Sequence, residues 1–111
     1  MSGTGISTHV LDTAAGKPAA GVPVTLLRRE NVGLPQVVGS GTTGADGRID
    51  NLCPGELTAG WYQLVFDLTA YYGSQRHFFT RVTLDVAVTD LRHHHVPLLV
   101  SPFSCTSYRG S

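Results

Sequence analysis

Apolar residues in this chain recur at every second position, in short runs that glycine or proline soon interrupts. "ISTHVLDT" sets Ile6, Thr8 and Val10 against Ser7, His9 and Leu11, and "FFTRVTLDVAV" sets Phe79, Val82, Leu84, Val86 and Val88, mostly on one face with Phe79 the exception in parity, against Arg81, Thr83 and Asp85. A repeat of two is that of a β-strand with one buried face. Thirteen glycines and six prolines among 111 residues leave little uninterrupted length for helices. "VPVTLLRREN" and "QVVGSGTTG" read as strands around "VGLP", Asp46-Gly47 marks a tight turn, and "GWYQLVFDL" reads as a buried strand. "HHHVPLLVS" and "FSCTSYRG" form two more about a Ser101-Pro102 turn, and "DLTAYYGSQ" is the single expected helix, stopped at Gly73. The spacing predicts an all-β fold: an antiparallel sandwich of seven or eight strands with one short helix, forming one domain over residues 1–111.

A domain of this length buries roughly two-thirds of its unfolded surface, enough for a core without metal or disulfide staples. Eight Lys and Arg balance eight Asp and Glu. With no basic run, the sequence predicts neither a nucleic-acid nor a membrane partner, and function must come from a local site. Near-zero net charge also weakens repulsion between copies, which permits self-association. "MSGTGISTHV" lacks the basic start and apolar stretch of a secretory signal, so a cytoplasmic protein is expected. Cys53 and Cys105 follow no CxxC spacing and read as reduced structural thiols; a nucleophilic Cys105 beside a histidine is the alternative.

Three of the five histidines are consecutive, His93, His94 and His95. Strand alternation splits them: His94 shares parity with Val96, Leu98 and Val100, whereas His93 and His95 face the other way. Such a pair can chelate zinc, but neither a CxxC nor an HExxH pattern supplies further ligands, so no metal and no cofactor is expected. His9 alone would read as a surface histidine. Arg48, just after the turn in "DGRI", and Arg109 near the tail change that reading. Neutral imidazole, with a reference pKa near 6.5, can take a proton from water at pH 7, and a fixed guanidinium can hold an anionic or carbonyl-rich ligand. Together they suit hydrolysis without metal.

"STHVLDTAAGKPAAGVPVTL", "GADGRI", "LTAYYG" and "HHHVPLLVSPFSCTSYRGS" occur in order over almost the whole chain. In this combination the sequence resembles the transthyretin-like family, and within it the branch of 5-hydroxyisourate hydrolases. The closing YRGS is similar to that branch's signature, which the hormone-carrying transthyretins lack. The resemblance implies a transthyretin-like β-sandwich, a homotetramer built as a dimer of dimers, and active sites where two dimers meet. It implies hydrolysis of 5-hydroxyisourate, a product of urate oxidation, to 2-oxo-4-hydroxy-4-carboxy-5-ureidoimidazoline. The nonenzymatic alternative is a carrier of hydrophobic or iodothyronine ligands, and a third is a sandwich acting only as an interaction scaffold.

By position, the resemblance carries catalytic roles to His9, Arg48, His95 and Ser111. Substrate binding falls to His9, Arg48, Tyr108, Arg109, Gly110 and Ser111, and His93 falls on a peripheral histidine position. His9 and His95 would position and deprotonate water, Arg48 would stabilise the oxyanion, and Ser111 would offer its hydroxyl or terminal carboxylate. Tyr108 offers an aromatic surface and a hydroxyl, Gly110 a close backbone approach, and Arg109 either a substrate clamp or an interface salt bridge. The sequence departs from the family pattern at His94 and Cys105, where tyrosine is usual, and at Thr80, where proline is expected. Residues added after Ser111 are expected to impair turnover while leaving the fold intact; normal turnover in an extended protein would remove the carboxyl end from the mechanism.

Overall fold

The computed structural model describes residues 5–110. Among these the chain forms nine strands and one helix: β1 (Gly5–Asp12), β2 (Lys17–Pro18), β3 (Pro23–Arg29), β4 (Gln36–Thr42), β5 (Arg48–Ile49), β6 (Gly60–Asp67), α1 (Leu68–Tyr72), β7 (Arg81–Val88), β8 (His93–Ser101) and β9 (Ser104–Ser107). Two sheets face each other as a sandwich. One runs β2-β1-β8-β9, with β5 also paired to β1, and the other runs β4-β3-β6-β7.

The alternating residues meet between the sheets. Ile6 and Val10 of β1, Leu26 of β3, Leu64 and Phe66 of β6, and Leu98 and Val100 of β8 are fully buried there. Each large aliphatic or aromatic side chain so buried contributes about 1.5–3 kcal/mol. α1 closes one end of the sandwich. Its N-cap is Asp67, whose carboxylate accepts from the Ala70 amide at 3.0 Å, and Gly73, at φ 59°, ends it as the sequence predicts.

Three features differ from the sequence-based expectation. Arg48 and Ile49, read as lying just after a turn, form β5 against Thr8 and His9 and bring the described strands to nine instead of seven or eight. Lys17 and Pro18, within "AAGKPAAG", whose glycines and proline are of the kind that interrupts an alternating run, form the short β2 against Leu11 and Asp12. The sandwich is not wholly antiparallel, because β1 and β8 pair in parallel from Gly5↔His93 to Asp12↔Val100. Period-two patterning reports which face is buried, not which way the neighbouring strand runs. A parallel pair needs a long crossover, and here most of the chain lies between the two partners.

That register positions the outward-facing polar residues. Ser7 lies opposite His95, and His9 lies opposite Arg48 on the other edge of β1. β5 is held there by the turn before it: the Val10 amide donates to the Gly47 carbonyl at 2.8 Å, and the Arg48 amide to Asp46 Oδ1 at 3.0 Å. Gly47 has φ +77°, and a Cβ at this position would collide with the Val10 carbonyl oxygen. Gly47→Ala is therefore expected to lower stability by roughly 1–3 kcal/mol and to displace Arg48. Thermal unfolding checks the first effect; a wild-type melting temperature would show that the turn adapts without strain.

Candidate active site

The outer face of the β5-β1-β8 ribbon gathers one guanidinium and three imidazoles. Arg48 projects from β5 beside His9 of β1, and Ser7, two residues earlier on β1, is flanked by His93 and His95 of β8. His9 Nε2 donates to the Asp46 carbonyl at 2.9 Å. Because a carbonyl only accepts, this fixes the proton on Nε2 and leaves Nδ1 of neutral His9 as the free acceptor. Ser7 Oγ lies 2.7 Å from His95 Nδ1 and 2.8 Å from His93 Nε2. Among the described residues, His95 Nε2 has no hydrogen-bond partner.

His95 is half-buried, and its imidazole is held below the ordinary histidine range. Burial is the main cause, followed by the positive charge of Arg48 and then by His9 and His93. A histidine that resists protonation remains a competent base at neutral pH.

The tail reaches this imidazole through its backbone. The Gly110 amide donates to the His95 carbonyl at 2.8 Å, forming an isolated antiparallel bridge. A Cβ on Gly110 would lie 2.5 Å from His95 Cδ2, so any side chain there would push the ring aside. This is the close approach expected of Gly110, and the group approached is the His95 ring. Tyr108 and Arg109 instead border a cavity of about 350 Å³, with His95, Ile6, Val86 and Val96 among its walls. His9 and Arg48 do not line that cavity. The expected site residues therefore divide: His9, Arg48 and His95 share the outer sheet face, Tyr108 and Arg109 sit at the cavity edge, and Gly110 touches His95. Ser111 lies outside the described residues.

The other histidines and thiols separate by face. His94 is buried on the core side, its Nε2 3.6 Å from Asp90 Oδ1 and its Nδ1 without a partner among the described residues. The triplet divides as strand alternation requires. Among the described residues no three His, Cys, Asp or Glu side chains form a group able to hold a metal. Both cysteines are free, and burial pushes the Cys105 thiol up, away from the thiolate a nucleophile needs. No helix among the described residues is long and apolar enough to cross a membrane.

Residues 6–110 match the HIUase/Transthyretin family. The chain belongs to this family. It is 41% identical to a 5-hydroxyisourate hydrolase of Caulobacter vibrioides, over 97% of this chain and 99% of that one. Among solved structures, the 5-hydroxyisourate hydrolase of Klebsiella pneumoniae superposes with a TM-score of 0.84 at 35% identity, covering 96% and 98% of the two chains. Sea bream transthyretin in complex with thyroxine gives 0.86 at 29% identity, covering 95% and 93%. Both branches of the HIUase/Transthyretin family thus share this backbone, and side chains must distinguish them.

Two polar residues of the cluster carry more of its geometry than sequence reasoning assigned them. Ser7 was visible only as an outward-facing hydroxyl on β1, and His93 only as a peripheral histidine. The parity of each was legible, but their meeting required the β1–β8 register. His95 also sets a pH dependence. Its folded-state value lies below the unfolded value near 6.5, so the native chain binds fewer protons in the window beneath that pH. Its contribution is expected to be fully present above about pH 6.5 and to be lost as pH falls through the folded value. An NMR titration should give a His95 midpoint below that of a free histidine; a midpoint at or above it would contradict the burial argument.

Proposed function

We propose that this chain is a hydrolase that opens the ring of 5-hydroxyisourate to 2-oxo-4-hydroxy-4-carboxy-5-ureidoimidazoline, in urate degradation. The observation that carries the reading is the outer-face cluster of His9, Arg48 and His95. It provides a base, a second imidazole and a fixed cation on one surface, where a carrier of greasy ligands would need apolar groups. The names of the full-length relatives support the same branch.

Bulk water has a pKa of roughly 15.7 and needs an activating group before it attacks a ring carbonyl. His95 Nε2 takes a proton from the attacking water, with His9 holding the water or the leaving nitrogen. The carbonyl oxygen gains negative charge as the new C–O bond forms, and Arg48 stabilises it. The ring C–N bond then breaks as an imidazolium returns a proton to the nitrogen, so no net proton is consumed. Tyr108, Arg109, Gly110 and Ser111 complete the substrate surface beside His95, with Arg109 binding substrate or pinning the tail.

Arg48 and His93 are exposed in a single chain, and near-zero net charge allows a second copy to approach. The catalytic unit we favour is a homotetramer whose dimers meet over this face, each chain being one domain over residues 1–111. Two free thiols suit a reducing cytoplasm.

The test is the ultraviolet decay of freshly made 5-hydroxyisourate with wild type, His95→Asn and Arg48→Gln, each checked for folding by circular dichroism. Wild type is expected to accelerate the decay. Each variant should lose about 10²-fold or more in kcat, the size of effect seen when a general base or an oxyanion donor is removed. No acceleration by folded wild type, with displacement of a fluorescent thyroxine analogue instead, would favour the carrier.

A further inference from the structure

We propose that Ser7 is a positioning residue that sets the tautomer of His95 and links it to His93, so that the positive charge formed during turnover rests on the exposed imidazole; this rests on the hydrolase reading above. A serine hydroxyl has one proton to give and lone pairs to receive. Ser7 Oγ lies within hydrogen-bond reach of two imidazole nitrogens, His95 Nδ1 at 2.7 Å and His93 Nε2 at 2.8 Å. It can donate to only one of them, and the other must donate to it. At 8% exposure Ser7 is largely shielded from competing water.

The direction of donation decides whether His95 Nε2, the nitrogen not held by Ser7, is bare or protonated. If Nδ1–H donates to Ser7 Oγ, and Ser7 O–H donates to His93 Nε2, then His95 Nε2 is bare and can act as base. If the chain ran the other way, His95 Nε2 would carry the proton and His95 could not act as base.

The same chain can move charge. When His95 Nε2 takes a proton from water, the Nδ1 proton passes to Ser7 Oγ as Ser7 gives its own proton to His93 Nε2. One proton has entered and one has moved on, leaving His95 neutral and His93 cationic. When Nε2 later protonates the leaving nitrogen, the transfers reverse. The shift is favourable because of what surrounds each ring. His95 is half-buried and faces Arg48 from β5 and His9 from β1, with Arg109 of the tail bordering the same cavity. His93 is exposed to water, which solvates the cation.

Two measurements test this. In the substrate-free wild-type protein, long-range proton–nitrogen NMR of the imidazoles should show His95 protonated on Nδ1 with a bare Nε2. In the hydrolysis assay, Ser7→Ala should lower kcat about tenfold or more, a typical loss for a group that orients a catalytic ligand. Its acid limb should also move to lower pH, because without Ser7 the charge taken up at Nε2 must stay on the half-buried His95 ring near Arg48 and His9 instead of passing to His93. Ser7→Thr, which keeps the hydroxyl, should restore both. A His95 protonated on Nε2, or a Ser7→Ala protein with wild-type turnover and an unmoved limb, would overturn the proposal. A wild-type protein inactive on 5-hydroxyisourate would instead refute the hydrolase reading, and the NMR result would still decide what Ser7 does.

Discussion

The parallel pairing of β1 with β8 is the constraint on which the rest of the structure depends. It joins residues near the two ends of the chain in register over eight pairs, from Gly5↔His93 to Asp12↔Val100. On the inner face this seats Ile6 and Val10 with Val96, Leu98 and Val100 in the core. On the outer face it brings Ser7 between His93 and His95. A slip of one residue would exchange the two faces, burying polar imidazoles and exposing apolar side chains. The hydrophobic core therefore determines the polar site, since the alternation that fills one face leaves the other to chemistry.

Around this pair, small backbone devices set the remaining groups. The turn ending at Gly47 docks on Val10 and delivers Arg48 to His9, and the Gly110 amide ties the tail to the His95 carbonyl. Both depend on the absence of a side chain, which would strike Val10 in one case and the His95 ring in the other. The site thus rests on rigid strands, with glycine permitting the two closest approaches. Such support holds the polar groups of this face in place.

The backbone alone does not separate the two branches of the HIUase/Transthyretin family, since a hydrolase and a thyroxine-bound transthyretin superpose on it about equally well. In this chain the outer face of β5, β1 and β8 carries polar groups. His9, Arg48 and His95 make that face polar and basic, with a half-buried imidazole whose proton affinity is lowered chiefly by burial. Function here follows from side chains presented by a shared scaffold.

Much was legible in the sequence because it is local. Period-two alternation and turn residues identified every strand except the two-residue β2 and β5, Gly73 marked the end of the helix, and parity alone separated His94 from His93 and His95. The "THVLD", "DGR" and "HVPLL" blocks named His9, Arg48 and His95 through a family resemblance, and the terminal motif named Tyr108, Arg109, Gly110 and Ser111. The parallel sense of β1 and β8, the bridging of two imidazoles by Ser7, and the separation of Tyr108 and Arg109 from the His9–Arg48 face were decided only by tertiary structure. The physical reason is range: alternation and turn chemistry act between neighbours along the chain, whereas Ser7 and His95 meet only after the intervening strands have folded into two layers.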